Sequence, residues 1–147
     1  MPIGKFNHNI DAKGRVFVPA RFRPELGNRF TIFKSPTENC IRAYNEENWI
    51  KYKKKLAKIK DLKNNLRRMI FSSSYEVETD SQGRILIPSE LLEMTDISDK
   101  AVIVGMDRWV EIWEPKEYDK VYGAGDAESL YEMAAYLDSD DDCDDDF

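Results

Sequence analysis

The sequence predicts an α+β fold in which one small strand-rich unit occurs twice in tandem, and three observations carry that prediction. Residues 8–22, HNIDAKGRVFVPARF, align without a gap on residues 77–91, VETDSQGRILIPSEL, at an offset of 69. Short runs of Val, Ile, Phe and Tyr bounded by Gly, Asp and Asn recur in both copies, which is strand and turn chemistry. Between the copies, residues 46–71 lack Gly and Pro and space Trp49, Ile50, Leu56, Ile59, Leu62, Leu66, Met69 and Ile70 at roughly helical intervals.

Each copy reads strand, turn, strand, short helix, strand, strand, short helix. Asp11 matches Asp80, Gly14 matches Gly83, Arg15 matches Arg84 and Pro19 matches Pro88, with Val16, Phe17 and Val18 aligned on Ile85, Leu86 and Ile87. Pro19 and Pro88 stop these strands and are expected at the first helical position, where a missing N–H is harmless. ARFRPEL and SELLEM then form helices of one or two turns, the first limited by Pro24 and Gly27. The parallel continues with FTIF (30–33) against AVIV (101–104), and IRAYNEENW (41–49) against VEIWEPKEY (110–118). The boundaries drawn are a first repeat at 5–49, a helical connector at 50–73 with a break near Asp61, a second repeat at 74–120, and a C-terminal segment at 121–147. That segment starts with a helix after Gly125, with Asp126 as N-cap and Leu130, Tyr131, Met133, Ala134 and Leu137 on one side. A repeat of this size buries too little surface alone, so the two copies are expected to pack about a pseudo-twofold axis. Leftover strand edges favour further self-assembly.

The 147 residues, 41% hydrophobic and 34% charged, suit one compact domain and exclude a large multidomain enzyme. Two cysteines, Cys40 and Cys143, form no Cys-x-x-Cys pair, which argues against a disulfide framework or thiolate metal site and for a reducing cytoplasm. Neither an apolar leader nor a membrane-length apolar run occurs, so no membrane partner is expected. The net charge of −6 hides an asymmetry: residues 1–69 carry 17 Lys and Arg against 6 Asp and Glu, whereas residues 70–147 carry 5 against 22. Seven of those acids crowd the last ten residues, a composition that predicts a disordered tail. An anionic partner is therefore compatible with the basic first half.

In DAKGR, three residues separate Asp11 from Arg15, the length of a hairpin loop made of a type I turn and a left-handed residue, here Gly14. Asp11 can accept backbone N–H bonds within the turn and pair with Arg15, fixing the direction of the guanidinium. DSQGR repeats the device with Asp80, Gly83 and Arg84. Turn stability alone needs the Asp and the Gly. An arginine at the same offset in both copies points to a joint role, and a forked donor on a two-stranded ribbon suits DNA phosphates or guanine edges in the major groove.

NxxxDAKGRVFVPARFR and ETDSQGRILIPSEL resemble the two signature segments of the MraZ family, tandem relatives of the AbrB/SpoVT swapped-hairpin transcription factors, and the resemblance runs from residue 1 to about residue 120. It implies a duplicated AbrB-like, double-psi-like β-barrel, assembled as a ring-shaped homo-oligomer. It also implies a cytoplasmic, nucleoid-associated regulator that binds short tandem repeats in double-stranded DNA and controls, in the expected sense of repression, the division and cell-wall gene cluster containing its own gene. By the same resemblance, Asp11, Arg15, Asp80 and Arg84 fill the family's Asp-x-x-x-Arg motif. The expected DNA-binding residues are Lys13, Arg15 and Arg84, with Asp11, Gly14, Asp80 and Gly83 orienting the turns. The acidic tail falls outside the family pattern.

Two other classes compete. Paired Asp-Gly turns in a pseudo-twofold barrel could suggest an aspartic protease, but a neighbouring arginine favours ionised carboxylates and a protease dyad shares a proton; no enzyme activity, catalytic residue, cofactor or small-molecule substrate is expected. An antitoxin-like or scaffold module, binding a protein partner through the acidic C-terminal region, is the alternative function. Lys51, Lys53, Lys54, Lys55, Lys58 and Lys60 form either a phosphate-contacting patch or an ordinary solvated helix face. Trp109 and Trp113 are expected in the core or a subunit contact, His8 in a structural role with no metal, and Cys40 in a buried strand.

Overall fold

The computed structural model describes residues 2–59, 64–122 and 127–139. In chain order the elements are β1 (Ile3–Asn9), β2 (Arg15–Phe17), α1 (Arg23–Leu26), β3 (Arg29–Lys34), β4 (Ile41–Tyr44), α2 (Glu46–Lys58), α3 (Asn64–Ser72), β5 (Tyr75–Glu78), β6 (Arg84–Leu86), α4 (Ser89–Met94), β7 (Lys100–Met106), β8 (Val110–Trp113), α5 (Pro115–Tyr122) and α6 (Ala127–Ala135), followed by a 3-10 turn at Tyr136–Asp138. The fold is α+β, with antiparallel sheet and short helices. Asp61, Gly125, Asp126, Cys143 and the tail 140–147 lie outside the described residues. No helix among those described is long and apolar enough to cross a membrane.

Six strands form one sheet in the order β1-β7-β8-β4-β3-β5, and β2 pairs with β6 in a separate two-stranded ribbon. Exchanging each strand for its counterpart in the other repeat leaves the six-strand order unchanged when read from the opposite edge. Among the described residues, only the β3–β4 and β7–β8 hairpins pair within a repeat. The remaining ladders cross between repeats, β1 on β7, β5 on β3, β4 on β8 and β2 on β6.

Strand alternation sorts the apolar side chains onto the two sides of the sheet. Phe30 and Ile32 of β3, Ile41 and Ala43 of β4, Ile103 of β7, and Val110 and Ile112 of β8 join Val16, Ile85, Phe22 and Leu91 in the main core, beneath the ribbon. Their alternates, Phe33 and Tyr44, point the other way and pack with Leu56, Ile70, Trp49, Tyr52 and Trp109 under α2 and α3. Val102 and Trp113 meet Cys40 and Tyr118 beside α5. The ribbon and α2 therefore lie on opposite sides of the sheet.

The prolines act differently from the sequence expectation. Pro19 precedes a turn, its carbonyl accepting from the Phe22 N–H at 2.8 Å, and is not the first helical residue. Pro24, expected to limit that helix, lies instead in its first turn, where proline's fixed φ fits and no intrahelical N–H bond is lost. Pro88 has extended backbone (φ −55°, ψ 139°) and caps α4, its carbonyl accepting from Leu91 and Leu92.

Candidate nucleic-acid interface

The two Asp-x-x-Gly-Arg segments fold into the same turn. In the first, the Asp11 N–H donates to the Arg15 carbonyl and the Gly14 N–H to the Asp11 carbonyl, each at 3.0 Å. Oδ1 of Asp11 accepts from the backbone N–H of Lys13 (3.0 Å) and of Arg15 (2.8 Å), while Oδ2 takes the Arg15 Nε at 2.7 Å. In the second, Oδ1 of Asp80 accepts from the N–H of Gln82 and of Arg84, both at 2.9 Å, and Oδ2 takes the Arg84 Nε at 2.8 Å. Past the turn the strands part. β1 runs to β7 and β2 to β6, so each loop closes like a hairpin between strands whose ladders belong to the other repeat.

Gly14 and Gly83 have φ of +89° and +82°, in the region that disfavours a side chain. Space also requires glycine. A Cβ on Gly14 would stand 2.9 Å from the carbonyl oxygen of Ile87, the residue whose N–H donates to Gly14 O across the ribbon. The matching bond runs from the Val18 N–H to Gly83 O at 2.9 Å. Each turn is thereby clamped to the other repeat's strand.

Both aspartates are held below the usual carboxylate range. The largest cause is the backbone N–H bond from Arg15 on Asp11 and from Arg84 on Asp80, opposed by desolvation and reinforced by the arginine side chain. Each carboxylate stays ionised and engaged by its own arginine. Because among the described residues only Nε is used, the Nη edge of each guanidinium keeps its donors for a further acceptor pair such as phosphate oxygens or guanine O6 and N7.

The ribbon decides where those edges point. Val16 and Ile85 face the core, so their neighbours Arg15, Phe17, Arg84 and Leu86 share the opposite, outward side. Arg15 pairs across with Leu86, and Phe17 with Arg84, which sets the two arginines diagonally. The Arg84 guanidinium lies 5.9 Å from the Phe17 ring centre. Side-chain exposure is 35% for Arg15 and 20% for Arg84, so both reach solvent. Phe17 and Leu86 are themselves exposed, at 41% and 56%. Lys13 is exposed on the first turn, whereas Gly14 and Gly83 are buried beneath.

The structure thus brings Asp11, Lys13, Gly14, Arg15, Asp80, Gly83 and Arg84 to one ribbon and its two turns. The lysine run does not join them: Lys51, Lys53, Lys54, Lys55 and Lys58 ride on α2, across the sheet, with Lys51 paired to Glu47 at 3.4 Å and Lys53 over the Trp49 ring. Lys60 lies outside the described residues. Trp113 is buried and Trp109 half-buried, and both indole N–H groups donate to Glu111, at 3.0 Å, a buried acid that sequence reasoning had passed over. Cys40 is fully buried directly ahead of β4, and burial, with Glu111 and Glu38 nearby, pushes its thiol up to about 12. Also missed were Phe17 and Leu86 as outward residues and Arg23 beside the second turn. The first two were legible from i, i+2 alternation with Arg15 and Arg84; Arg23 was not, because its neighbour comes from the other repeat. Among the described residues no cluster of three His, Cys, Asp or Glu is placed to hold a metal.

A family model described as "MraZ protein, putative antitoxin-like" matches this chain twice, over residues 1–69 and 70–139. Proteins called transcriptional regulator MraZ align over nearly the whole chain. The one from Desulforamulus reducens is 41% identical over 138 residues, covering 92% of this chain and 95% of its own. That from Thermoanaerobacter pseudethanolicus is 40% identical over 141 residues, covering 94% and 97%, and that from Pelotomaculum thermopropionicum 41% over 138, covering 92% and 93%. With both halves matched by the family model and such identities over nine-tenths of its length, the chain belongs to the MraZ family.

Proposed function

We propose that this protein is a sequence-specific, DNA-binding transcriptional regulator that lays the β2–β6 ribbon in a major groove. Arg15 and Arg84 read base edges or grip phosphate, and Lys13 contacts the backbone. The observation that carries this reading is the pair of Asp-braced arginines, in matching geometry, on one outward ribbon face. A two-stranded ribbon fits that groove, and a guanidinium whose direction is already fixed loses less freedom on binding. The names of the relatives support the regulatory role.

The strand exchange between repeats supports a swapped-hairpin, AbrB-like barrel. Edge strands β1 and β5 and the apolar side chains exposed on α6 and after it support assembly with further copies, for which the ring implied by the family resemblance is the proposed form. Several ribbons on a ring recognise spaced short repeats by avidity. The proposed target is the DNA upstream of its own gene, in a division and cell-wall cluster, and the proposed effect is repression in the cytoplasm, at the nucleoid.

The test is a mobility-shift titration on that upstream DNA. Wild type binds, and affinity falls as salt rises because condensed cations are released. Arg15→Ala weakens binding by about 1 to 3 kcal/mol if it makes a bidentate base contact, and Arg15→Ala/Arg84→Ala weakens it further. Equal binding by wild type and the double variant refutes the site. A protein-binding, antitoxin-like role is the second reading, favoured by the family description and by Leu130, Tyr131, Met133, Tyr136 and Leu137, all exposed. A toxin-sized gene cotranscribed with this one would favour it.

A further inference from the structure

The two turns are alike in backbone but not in charge. At the third position Lys13 of the first turn is matched by Gln82 of the second, so the second turn lacks the lysine proposed to contact phosphate. A different cation occupies its neighbourhood. The guanidinium of Arg23, from the first repeat, lies against Gly83, its Nη2 and Nη1 2.5 and 2.8 Å from where a Cβ would stand. Arg23 is held there by its Nε, which donates to the Val18 carbonyl at 3.0 Å, and Val18 in turn donates its N–H to Gly83 O. Among the described residues no acid forms a salt bridge with it, and it is half-buried.

The pseudo-twofold makes the comparison internal. The counterpart of Arg23 at the repeat offset is Leu92, and Leu92 occupies the same seat over Gly14, its Cδ1 3.5 Å from the missing Cβ. The seat itself therefore needs only a side chain that packs on a glycine. One turn combines Lys13 with a leucine in the seat; the other combines Gln82 with an arginine. Counting only the turn and its seat residue, each has two cations and one aspartate, with Glu93 and Asp99 also beside the first turn, but the second cation of the second turn comes from across the axis.

We infer that Arg23 is the phosphate-contacting residue of the second turn, supplied in trans by the first repeat in place of the lysine that Gln82 lacks. The inference deepens the proposed DNA-binding role and rests on it. The ligand group is a backbone phosphate of duplex DNA, for which a guanidinium fixed at Nε still offers its Nη donors.

The test uses full-length protein and the same upstream duplex, with binding followed by fluorescence anisotropy over a range of salt. Arg23→Leu places in the seat the residue that the other repeat already carries there. Its log K against log salt slope should be shallower than wild type by about 0.9 for each subunit engaged. Adding Gln82→Lys to that variant should restore the slope, which a purely structural role for Arg23 would not do. Arg23→Gln, neutral but still planar, should match Arg23→Leu and covers the case in which the leucine variant folds poorly, as read from its melting temperature. A wild-type slope in either folded variant, or failure of Gln82→Lys to restore it, overturns the inference, whereas the DNA-binding reading stands as long as Arg15→Ala/Arg84→Ala still weakens binding. If wild type itself does not bind the duplex, the DNA-binding reading falls, and this inference with it.

Discussion

At Asp11 one carboxylate does three things: it satisfies two N–H groups of the turn, pairs with Arg15, and leaves that arginine's outer edge free. Asp80 repeats all three. Replacing Asp by Asn separates them, because the amide oxygen can still accept the backbone N–H bonds but no longer carries charge for the guanidinium. Asp11→Asn/Asp80→Asn should keep the fold and lose DNA affinity, whereas Asp11→Ala/Asp80→Ala should also lower the melting temperature. The sign with pH follows from the depressed carboxylates. Their contribution to stability is complete above the ordinary aspartate value, about pH 3.9, and is lost as pH falls through the lower folded-state values. Acid melts of the double Asn variant should therefore be less pH-dependent below about pH 4 than those of wild type; an unchanged dependence would remove these carboxylates as its cause. This chemistry was legible in the sequence because every partner lies within four residues. Glu111 was not: its donors lie close in sequence, but only the folding of β8 makes its surroundings buried.

Helix ends show where local rules succeed and where they need context. α2 starts at Glu46 because the Asn45 side chain accepts from the Asn48 N–H at 2.8 Å, with Glu46 and Glu47 in the first turn and Lys55 and Lys58 in the last, the favourable orientation toward the helix dipole. Asn45 also donates its Nδ2 to the Glu25 carbonyl, joining α2 to α1. Asn45→Ala should cost about 1 to 2 kcal/mol, a fall in melting temperature of roughly 2 to 8 °C for a chain of this size, and scanning calorimetry measures it. No change would mean water replaces both bonds. The short helix after Pro19 defeated the same kind of rule. Pro19 and Pro24 are both permitted in a first helical turn; the helix that forms has Pro24 in that turn and buries both its N-cap Phe22 and its last residue Leu26 in the core.

Across the whole molecule the exchange of β1 and β5 makes each repeat complete the other's sheet. A fragment of residues 1–72 retains only the β3–β4 hairpin among the observed ladders, and an isolated hairpin is marginal in water. Residues 1–72 and 73–147 expressed apart should therefore be unfolded as monomers by circular dichroism, and mixing them should recover the native spectrum. A cooperative monomeric melt from either fragment alone would contradict this account. The amino-acid sequence determined by itself the duplication, the order of elements and the Asp-Gly-Arg turns, since these depend on backbone preferences and hydrogen bonds between near neighbours. Tertiary structure alone decided which strands pair, which side of the sheet the lysines of α2 occupy, and that Arg23 stands beside Gly83. Those outcomes depend on contacts between residues far apart in the chain, where burial of a shared apolar face selects one arrangement from several that local propensity allows.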